Sequence, residues 1–569
     1  LKCRAKALDV PLSTNFTLEI SQQNSNFPNL RGMKALTKTL RKWLLPMTCL
    51  FSLASCTLMS DKWNIHPDAK KADFHSEFLA AKPSPPKPGR PNVVVILADD
   101  LGKMDISLYG GKHQQTPHID AIGKNGVTFT EGYITSPICS PSRAGMLTGR
   151  YQQRFGYEYQ PHDRYPRNEL EYFFYQHFFD SRSWNLTKDK SFPTFEAILQ
   201  QGLPMAEFTL AELLKKHGYA TGIVGKWHLG VEEHCLPNKR GFDHQYGFYE
   251  AYTLYHPDLK DSNILNQHHD DFSDSHIWNG ARKGNCALRC NNVVVEDSVY
   301  LTQRLADEAV KFIDQHQDSS FFLYVPFSAP HTPFQITKEY YDRFPNEPDR
   351  NKRIYFGMIA ALDDAVGQIV AALKEKGLEE NTMIWFLSDN GGATYTRATD
   401  NYPLKGGKFT NFEGGLNVPM MLQWKGQLPA GIEFKEPVIS MDIFQTTAEI
   451  SGIDLPKDRP YDGVNLLPYL QKQTSNPPHT ALFWRSNYTW AVRQGPWKLI
   501  VDELSGNRVL YNLDLDKVEQ NNLYAQSPDI VKMLESAYDQ WEAGTVSPLW
   551  QRVMEYRFET KDGDFFFPL

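Results

Sequence analysis

Four short apolar runs, each cut off abruptly by charged or polar residues, constrain the fold of this chain more than any other feature. The first, Asn92-Val93-Val94-Val95-Ile96-Leu97-Ala98, is a continuous β-branched run of the kind found in strands buried on both faces, and it stops at Asp99-Asp100. Thr209-Leu210-Ala211-Glu212 reads as a capping box opening a helix that Gly218 closes. Residues 219–224 then form a short strand that stops at Gly225-Lys226-Trp227-His228. The helix VYLTQRLADEAVKFI leads into residues 321–325, which stop before Ala329-Pro330-His331. The helix around MIAALDDAVGQIVAALKEK ends at Gly377, and residues 383–387 follow, stopping at Ser388-Asp389-Asn390-Gly391-Gly392. This alternation predicts an α/β fold with a mainly parallel sheet covered by helices on both faces. In such sheets ligands bind at the carboxyl edge, where all four runs deliver polar groups. Each group alone has a plainer explanation, such as a solvated aspartate or a capping histidine. Four strands ending alike do not.

Between the first two strands lies Cys139-Ser140-Pro141-Ser142-Arg143-Ala144-Gly145-Met146-Leu147-Thr148-Gly149-Arg150. Pro141 suits a first helical turn, where its missing N–H is no loss. Cys139 is therefore expected at a helix N-terminus, which favours negative charge. An isolated cysteine would more simply be a disulfide half or a buried thiol.

The string Cys-x-Pro-Ser-Arg followed by Ala-Gly-x-Leu-Thr-Gly-Arg resembles the hallmark of the type I sulfatases of the alkaline phosphatase superfamily. The resemblance runs from Asn92 to about Leu523, through VVVILADD, GIVGKWHLG, NKRGFD, SAPHTP, SDNGG, PLKGGKFTNFEGG, AVRQGPWKLI and LYNLDLDKVEQNNL. It implies a catalytic domain over 92–475 with a large parallel or mixed sheet sandwiched by helices. A smaller C-terminal α+β subdomain, 476–569, would be built on an antiparallel sheet. It also implies that a maturation enzyme oxidises Cys139 to formylglycine (3-oxoalanine), whose hydrate attacks sulfur, displaces the alcohol and then expels sulfate.

By the same resemblance, Asp99, Asp100, Asp389, Asn390 and the oxidised Cys139 hold a divalent metal. These are hard oxygen donors without nearby His or Cys ligands, which favours Ca²⁺ over zinc and leaves Mg²⁺ open. Arg143 would hold the diol, and Lys226 and Lys408 would bind sulfate oxygens. His331 would protonate the leaving alcohol and His228 would assist the elimination; Asp389 is a second candidate for the nucleophile's proton. The chain departs from the family pattern at Lys405, Gln445 and Phe409, the last of which stands beside Lys408.

At 569 residues the chain is long enough for two or more packed units at ~100–200 residues each. Its formal charge of −7 leaves no basic excess for a phosphate backbone, so nucleic acid is excluded as the main partner. Seven cysteines are too few for a disulfide scaffold, although Cys286 and Cys290 are near enough to pair in an oxidising compartment, with Cys235 open as to partner.

From Met33 the chain reads as a basic n-region, a short apolar h-region and small residues leading to a cysteine. Leu53-Ala54-Ser55-Cys56 resembles a lipoprotein lipobox, which implies a signal peptide over 33–55, lipidation of Cys56 and anchoring at a bacterial cell envelope. An ordinary secretory signal or an uncleaved buried helix are the alternatives. Residues 1–32 read as sequence upstream of the true start, and 56–91 as a Pro-rich tether whose prolines at 83, 85, 86, 88 and 91 suggest a semi-rigid spacer. Past residue 91 no apolar run reads as long enough for a membrane span.

Twelve aromatic residues fall between Tyr151 and Trp184, where the chain's aromatic share of 13% would place about four. Such a segment either stacks on sugar rings or packs a small core of its own. Arg154, His162 and Arg164 within it, with His244, Arg485 and Arg493 elsewhere, are candidates to meet acidic groups of a substrate. The run His268-His269-Asp270-Asp271 reads as a solvated loop before it reads as a metal cluster. The leading expectation is a sulfatase acting on a sulfated polysaccharide or its oligosaccharides, an algal galactan such as carrageenan, or ulvan, ahead of others. A phosphonate or phosphodiester hydrolase, and a non-catalytic glycan-binding lipoprotein, are the competing readings.

Overall fold

In the computed structural model the described residues are 69–569, apart from 86, 88, 114, 162–163, 180–182, 189, 191 and 270–273. The expected upstream segment, signal peptide and Cys56 lie outside them. Five parallel strands form the middle of a ten-stranded mixed sheet. They are β1 (Asn92–Ala98), β2 (Ala220–Lys226), β3 (His244–Phe248), β4 (Phe321–Pro326) and β5 (Thr382–Ser388), arranged in the order β5-β1-β4-β2-β3. In register, Val95 sits between Tyr324 on one side and Trp385 on the other.

The reason β1 reads as one unbroken apolar run is visible in its neighbours. Val94, Ile96 and Ala98 point into one core, with helices Leu301–Gln315 and Arg350–Glu375. Val93, Val95 and Leu97 point into a second core on the opposite face. A strand with period-two side chains and a core on each face has no position left for a polar residue. Arg350–Glu375 is also long and apolar enough to cross a membrane by length and composition, contrary to the sequence expectation, yet most of its apolar stretch is buried in the first of these cores.

The C-terminal region is a four-stranded antiparallel meander, Ala481–Ser486, Thr489–Gln494, Trp497–Asp502 and Asn507–Asn512, with helix Pro528–Glu542 packed against it. It shares a core with Ile134 and Ile138, just before Cys139, and with Phe409 and Phe412, just after Lys408. His479 bonds the Asp442 carboxylate at 2.9 Å, fastening the start of this region to helix Asp442–Ser451. A last hairpin, Met554–Thr560 and Gly563–Pro568, takes the strand Trp184–Leu186 of the aromatic segment as its third member, with Trp184 opposite Tyr556.

Residues 69–91 are not a plain spacer. Ala69–Ala80 is a helix whose Phe74, His75 and Phe78 surround the Phe208 ring, and His75 lies 3.3 Å from Glu212. Beyond it Ser84 bonds Asp454, Lys87 bonds the Glu449 carbonyl and Arg90 bonds the His217 carbonyl, so the chain runs strapped to the body up to β1. Cys286 and Cys290 are buried and are not bridged to each other; Cys235 is buried with its thiol toward the Leu203 carbonyl.

Candidate active site

Three of the five strand ends contribute a corner each of a buried charge cluster. Asp99 and Asp100 leave β1, Lys226 ends β2, and Asp389 and Asn390 leave β5. Helix Cys139–Thr148 aims its first turn at the same point and places Arg143 one turn behind Cys139. None of these residues, nor His228, His331 or Lys408, is more than 6% exposed. Three cations (Arg143, Lys226, Lys408) and three carboxylates (Asp99, Asp100, Asp389) therefore share one dry space, tolerable only because each is paired.

The pairings are specific. Lys226 Nζ lies 2.6 Å from Asp99 Oδ2, and Arg143 grips Asp389 Oδ2 through Nε at 2.9 Å and Nη2 at 2.6 Å. Lys408 Nζ is 2.9 Å from the Asp100 carboxylate, whose Oδ1 also accepts from Asn390 Nδ2 at 2.7 Å. Cys139 Sγ is 3.9 Å from the same oxygen, and His331 Nε2 is 3.6 Å from Asp100 Oδ2. Ser140 donates to the His228 carbonyl at 2.5 Å, tying the start of the cysteine helix to the end of β2.

These neighbours set the protonation states. Burial works against the Asp99 carboxylate, but Lys226, with His331, Arg143 and Lys408 behind it, holds its pKa below the ordinary range. Burial and the Asp99 charge push Asp389 up to about 7 despite Arg143. Burial, then Lys408, pushes His331 down to about 4, and burial with Lys226 and Arg143 pushes His228 well down, so both imidazoles are neutral near pH 7. Burial pushes the Cys139 thiol up against the pull of Lys226 and Lys408, so it is no thiolate.

Asp99 Oδ1 and Asn390 Oδ1 are buried without a hydrogen-bond partner among the described residues. Asp99, Asp100, Cys139 and His331 offer ligand atoms within 4.8 Å of one another. Orphaned hard oxygens beside a carboxylate pair fit a divalent cation of the Ca²⁺ or Mg²⁺ type, although His331, which the sequence did not place near the ligands, also stands within this group. Backbone strain collects here too: Asp100 (φ 62°), His228 (φ 58°) and Phe409 (φ 78°) all occupy the left-handed region, at ~1–3 kcal/mol each.

The loops are held by a residue that sequence reasoning missed. Asn401, itself at φ 55°, donates from Nδ2 to the Gly392 and Gly406 carbonyls at 3.0 and 3.1 Å and accepts from the Gly392 amide. It thus bolts the segment after Asn390 to the one before Lys408. The available signal was an asparagine, tolerant of the left-handed region, between two glycine pairs. Those glycines are required by close approach: a Cβ on Gly391 would stand 1.7 Å from the Gly414 carbonyl oxygen.

Above the cluster opens a cavity of about 410 Å³, lined by His331, Lys408, Phe409, Trp184, Arg164 and Lys283 among others. Of the expected substrate contacts Arg164 lines it, and His162 lies outside the described residues. The others are placed elsewhere. Arg154 is spent on Asp462 at 2.6 Å, Arg485 on Glu158 at 2.5 Å and Arg493 on Glu131 at 2.7 Å. His244 begins β3, at the amino edge of the sheet, against the Phe312 ring. The aromatic segment mostly packs inward: Tyr151, Phe155, Tyr157, Tyr159, Tyr165 and Tyr172 are buried, and Trp184 is the aromatic member that lines the cavity. The exposed His268 pairs at 2.9 Å with Asp274, the first residue of helix Asp274–Gly280; Asp270 and Asp271 lie outside the described residues.

A family model described as Sulfatase matches residues 91–453. An arylsulfatase of Hemicentrotus pulcherrimus is 33% identical over 423 residues, covering 72% of this chain and 67% of its own. An N-acetylgalactosamine-6-sulfatase of Rattus norvegicus is 32% identical over 426 residues, covering 72% and 71%. Among solved structures, Ps i-CgsB superposes with a TM-score of 0.68 at 31% identity over 81% of this chain and 94% of its own. The same protein has been solved in complex with k-i-k-neocarrahexaose.

Proposed function

Because the chain belongs to the sulfatase family and hydrolyses sulfate esters, we propose that its substrate is a sulfated polysaccharide or its oligosaccharides, a carrageenan-type galactan first among them. The observation that carries this reading is the cavity: it is roomy enough for a sugar ring, and it is lined by Lys408 and His331, which both meet the Asp100 carboxylate that Cys139 approaches. The carrageenan oligosaccharide complex of a structural neighbour supports the galactan. Sulfate release from a panel of carrageenan, ulvan and glycosaminoglycan oligosaccharides tests it. Turnover of aryl sulfates with no sulfated glycan accepted would overturn it.

In this reading Asp99, Asp100, Asp389 and Asn390 hold Ca²⁺, and Cys139 is converted to formylglycine. When present, the cation polarises the ester and the hydrated aldehyde supplies the oxygen nucleophile. Lys408 and Lys226 hold the sulfate oxygens, and Arg143, locked on Asp389, fixes the first turn of the cysteine helix. Nδ1 of His331 is 2.5 Å from the Thr332 carbonyl, which can only accept, so Nε2 is the nitrogen left to exchange a proton with the leaving oxygen. That imidazole is neutral beside Lys408, and an anionic ester between the two draws it toward the protonated form. His228 has neither ring nitrogen bonded among the described residues and stays neutral, as a proton acceptor must. Cys56 carries, in the same reading, the lipid that holds the enzyme at the cell envelope. Release of Cys56→Ser into the soluble fraction is the expected result, and unchanged membrane association would contradict it.

A further inference from the structure

Phe409 is a bulky side chain where the backbone favours glycine. Its φ of 78° lies in the left-handed region, directly after Lys408. Its amide donates to the Pro137 carbonyl at 2.8 Å, which fixes the loop against the segment leading into Cys139. The strain is tolerated because the ring is held from three directions, by segments far apart in sequence. Trp184 lies 5.2 Å away, Tyr556 5.5 Å and Tyr395 5.7 Å, centroid to centroid.

The planes make a corner. Phe409 and Tyr395 are within 22° of parallel, and Trp184 stands at 78° to the first and 76° to the second. Strand pairing with the C-terminal hairpin sets Trp184 opposite Tyr556, so that wall of the corner is carried on paired strands, while Phe409 is held by its amide's hydrogen bond to Pro137. Trp184, Tyr395 and Phe409 line the same cavity as Lys408 and His331. Lys408 Nζ lies 5.3 Å from the Phe409 ring centroid, which puts the aromatic wall next to one of the groups assigned to the sulfate.

We infer that Phe409 and Trp184 are specificity-determining residues, forming an aromatic corner that receives the C–H face of the pyranose bearing the sulfate ester. Aromatic rings present a negative face to which polarised C–H groups are attracted. A pyranose with an axial hydroxyl gathers its C–H groups on the opposite face, so the corner favours galacto-configured rings. This inference rests on the sulfated-glycan reading above.

The test is steady-state kinetics of Phe409→Gly, Phe409→Tyr and Trp184→Ala on a sulfated galactan oligosaccharide, with inorganic sulfate as a competing probe that has no ring. Phe409→Gly and Trp184→Ala are expected to raise KM about tenfold with kcat within about twofold, and Phe409→Tyr to restore KM. The inhibition constant of inorganic sulfate stays the same in all three. If kcat and sulfate inhibition deteriorate together with KM, the ring serves only to place Lys408 and the inference fails; it fails equally if KM does not move. Wild-type enzyme that releases sulfate from aryl esters but from no sulfated sugar overturns the glycan reading itself, and the sugar ligand of the corner with it.

Discussion

Replacing Cys139 with alanine abolishes sulfate release, by about ten-thousandfold or more, without unfolding the protein. The size of the effect follows from the site's construction. In the proposed reading the other cluster residues bind, orient or move protons, and position 139 sits at the cysteine-helix start with its side chain 3.9 Å from Asp100. The thiol as it stands is no substitute for an oxygen nucleophile, because burial pushes its pKa up. Its contribution to stability is small, since its one polar contact is that long approach to a carboxylate that already has Lys408 and Asn390. Thermal unfolding of the variant should fall within about 2 °C of wild type. Mass spectrometry of the native peptide around Cys139 is the companion measurement. Full turnover by material whose Cys139 is an intact, alkylatable thiol would contradict the assigned role.

The strand ends were legible because they obey a rule that sequence can express. A strand with a core on each face is apolar through its middle, and the polar residues where the run breaks mark the sheet's edge, as Asp99, Lys226 and Ser388-Asp389 do. The cysteine motif was legible for the same local reason, since Pro141 fixes where the helix begins. Partners across the chain are another matter. Arg154, Arg485 and Arg493 stand near aromatics in sequence, as a sugar-binding arginine would. Their carboxylates, Asp462, Glu158 and Glu131, are more than 300 residues away. Nothing local distinguishes a cation awaiting a substrate from one already neutralised. The strapping of Ser84, Lys87 and Arg90 to Asp454, Glu449 and His217 was hidden likewise, because bonds to partners more than a hundred residues away leave no periodicity. Trp184 is set apart from the buried tyrosines before it by distant partners, Tyr556 across the strands and Tyr395 and Phe409 beside the cavity.

Lys408→Met lowers sulfate release about 10²- to 10³-fold at saturating calcium, and makes folding stability more responsive to calcium than it is in wild type. The first part follows from removing a buried cation from the wall of the cavity, where a sulfate oxygen would meet it undiminished by water. The second follows from Asp100. In wild type its carboxylate has Lys408 at 2.9 Å and Asn390 at 2.7 Å. Methionine keeps the stem's volume but leaves that charge without its cation, at a cost of about 3–5 kcal/mol in metal-free protein. A divalent ion on Asp99, Asp100, Asp389 and Asn390 offsets the same charge, and in the variant it no longer meets the repulsion of the Lys408 ammonium. Calcium at ~100 times its dissociation constant stabilises the wild type by about 2.7 kcal/mol, and the variant at the same concentration should gain more. Unfolding in chelator and in excess calcium, for both proteins, reads the difference directly. Equal gains would separate Asp100 from the metal, and undiminished turnover would take Lys408 out of sulfate binding. A larger gain with lost turnover fits a single arrangement, in which one carboxylate is held between the cation that stays and the cation that is bound.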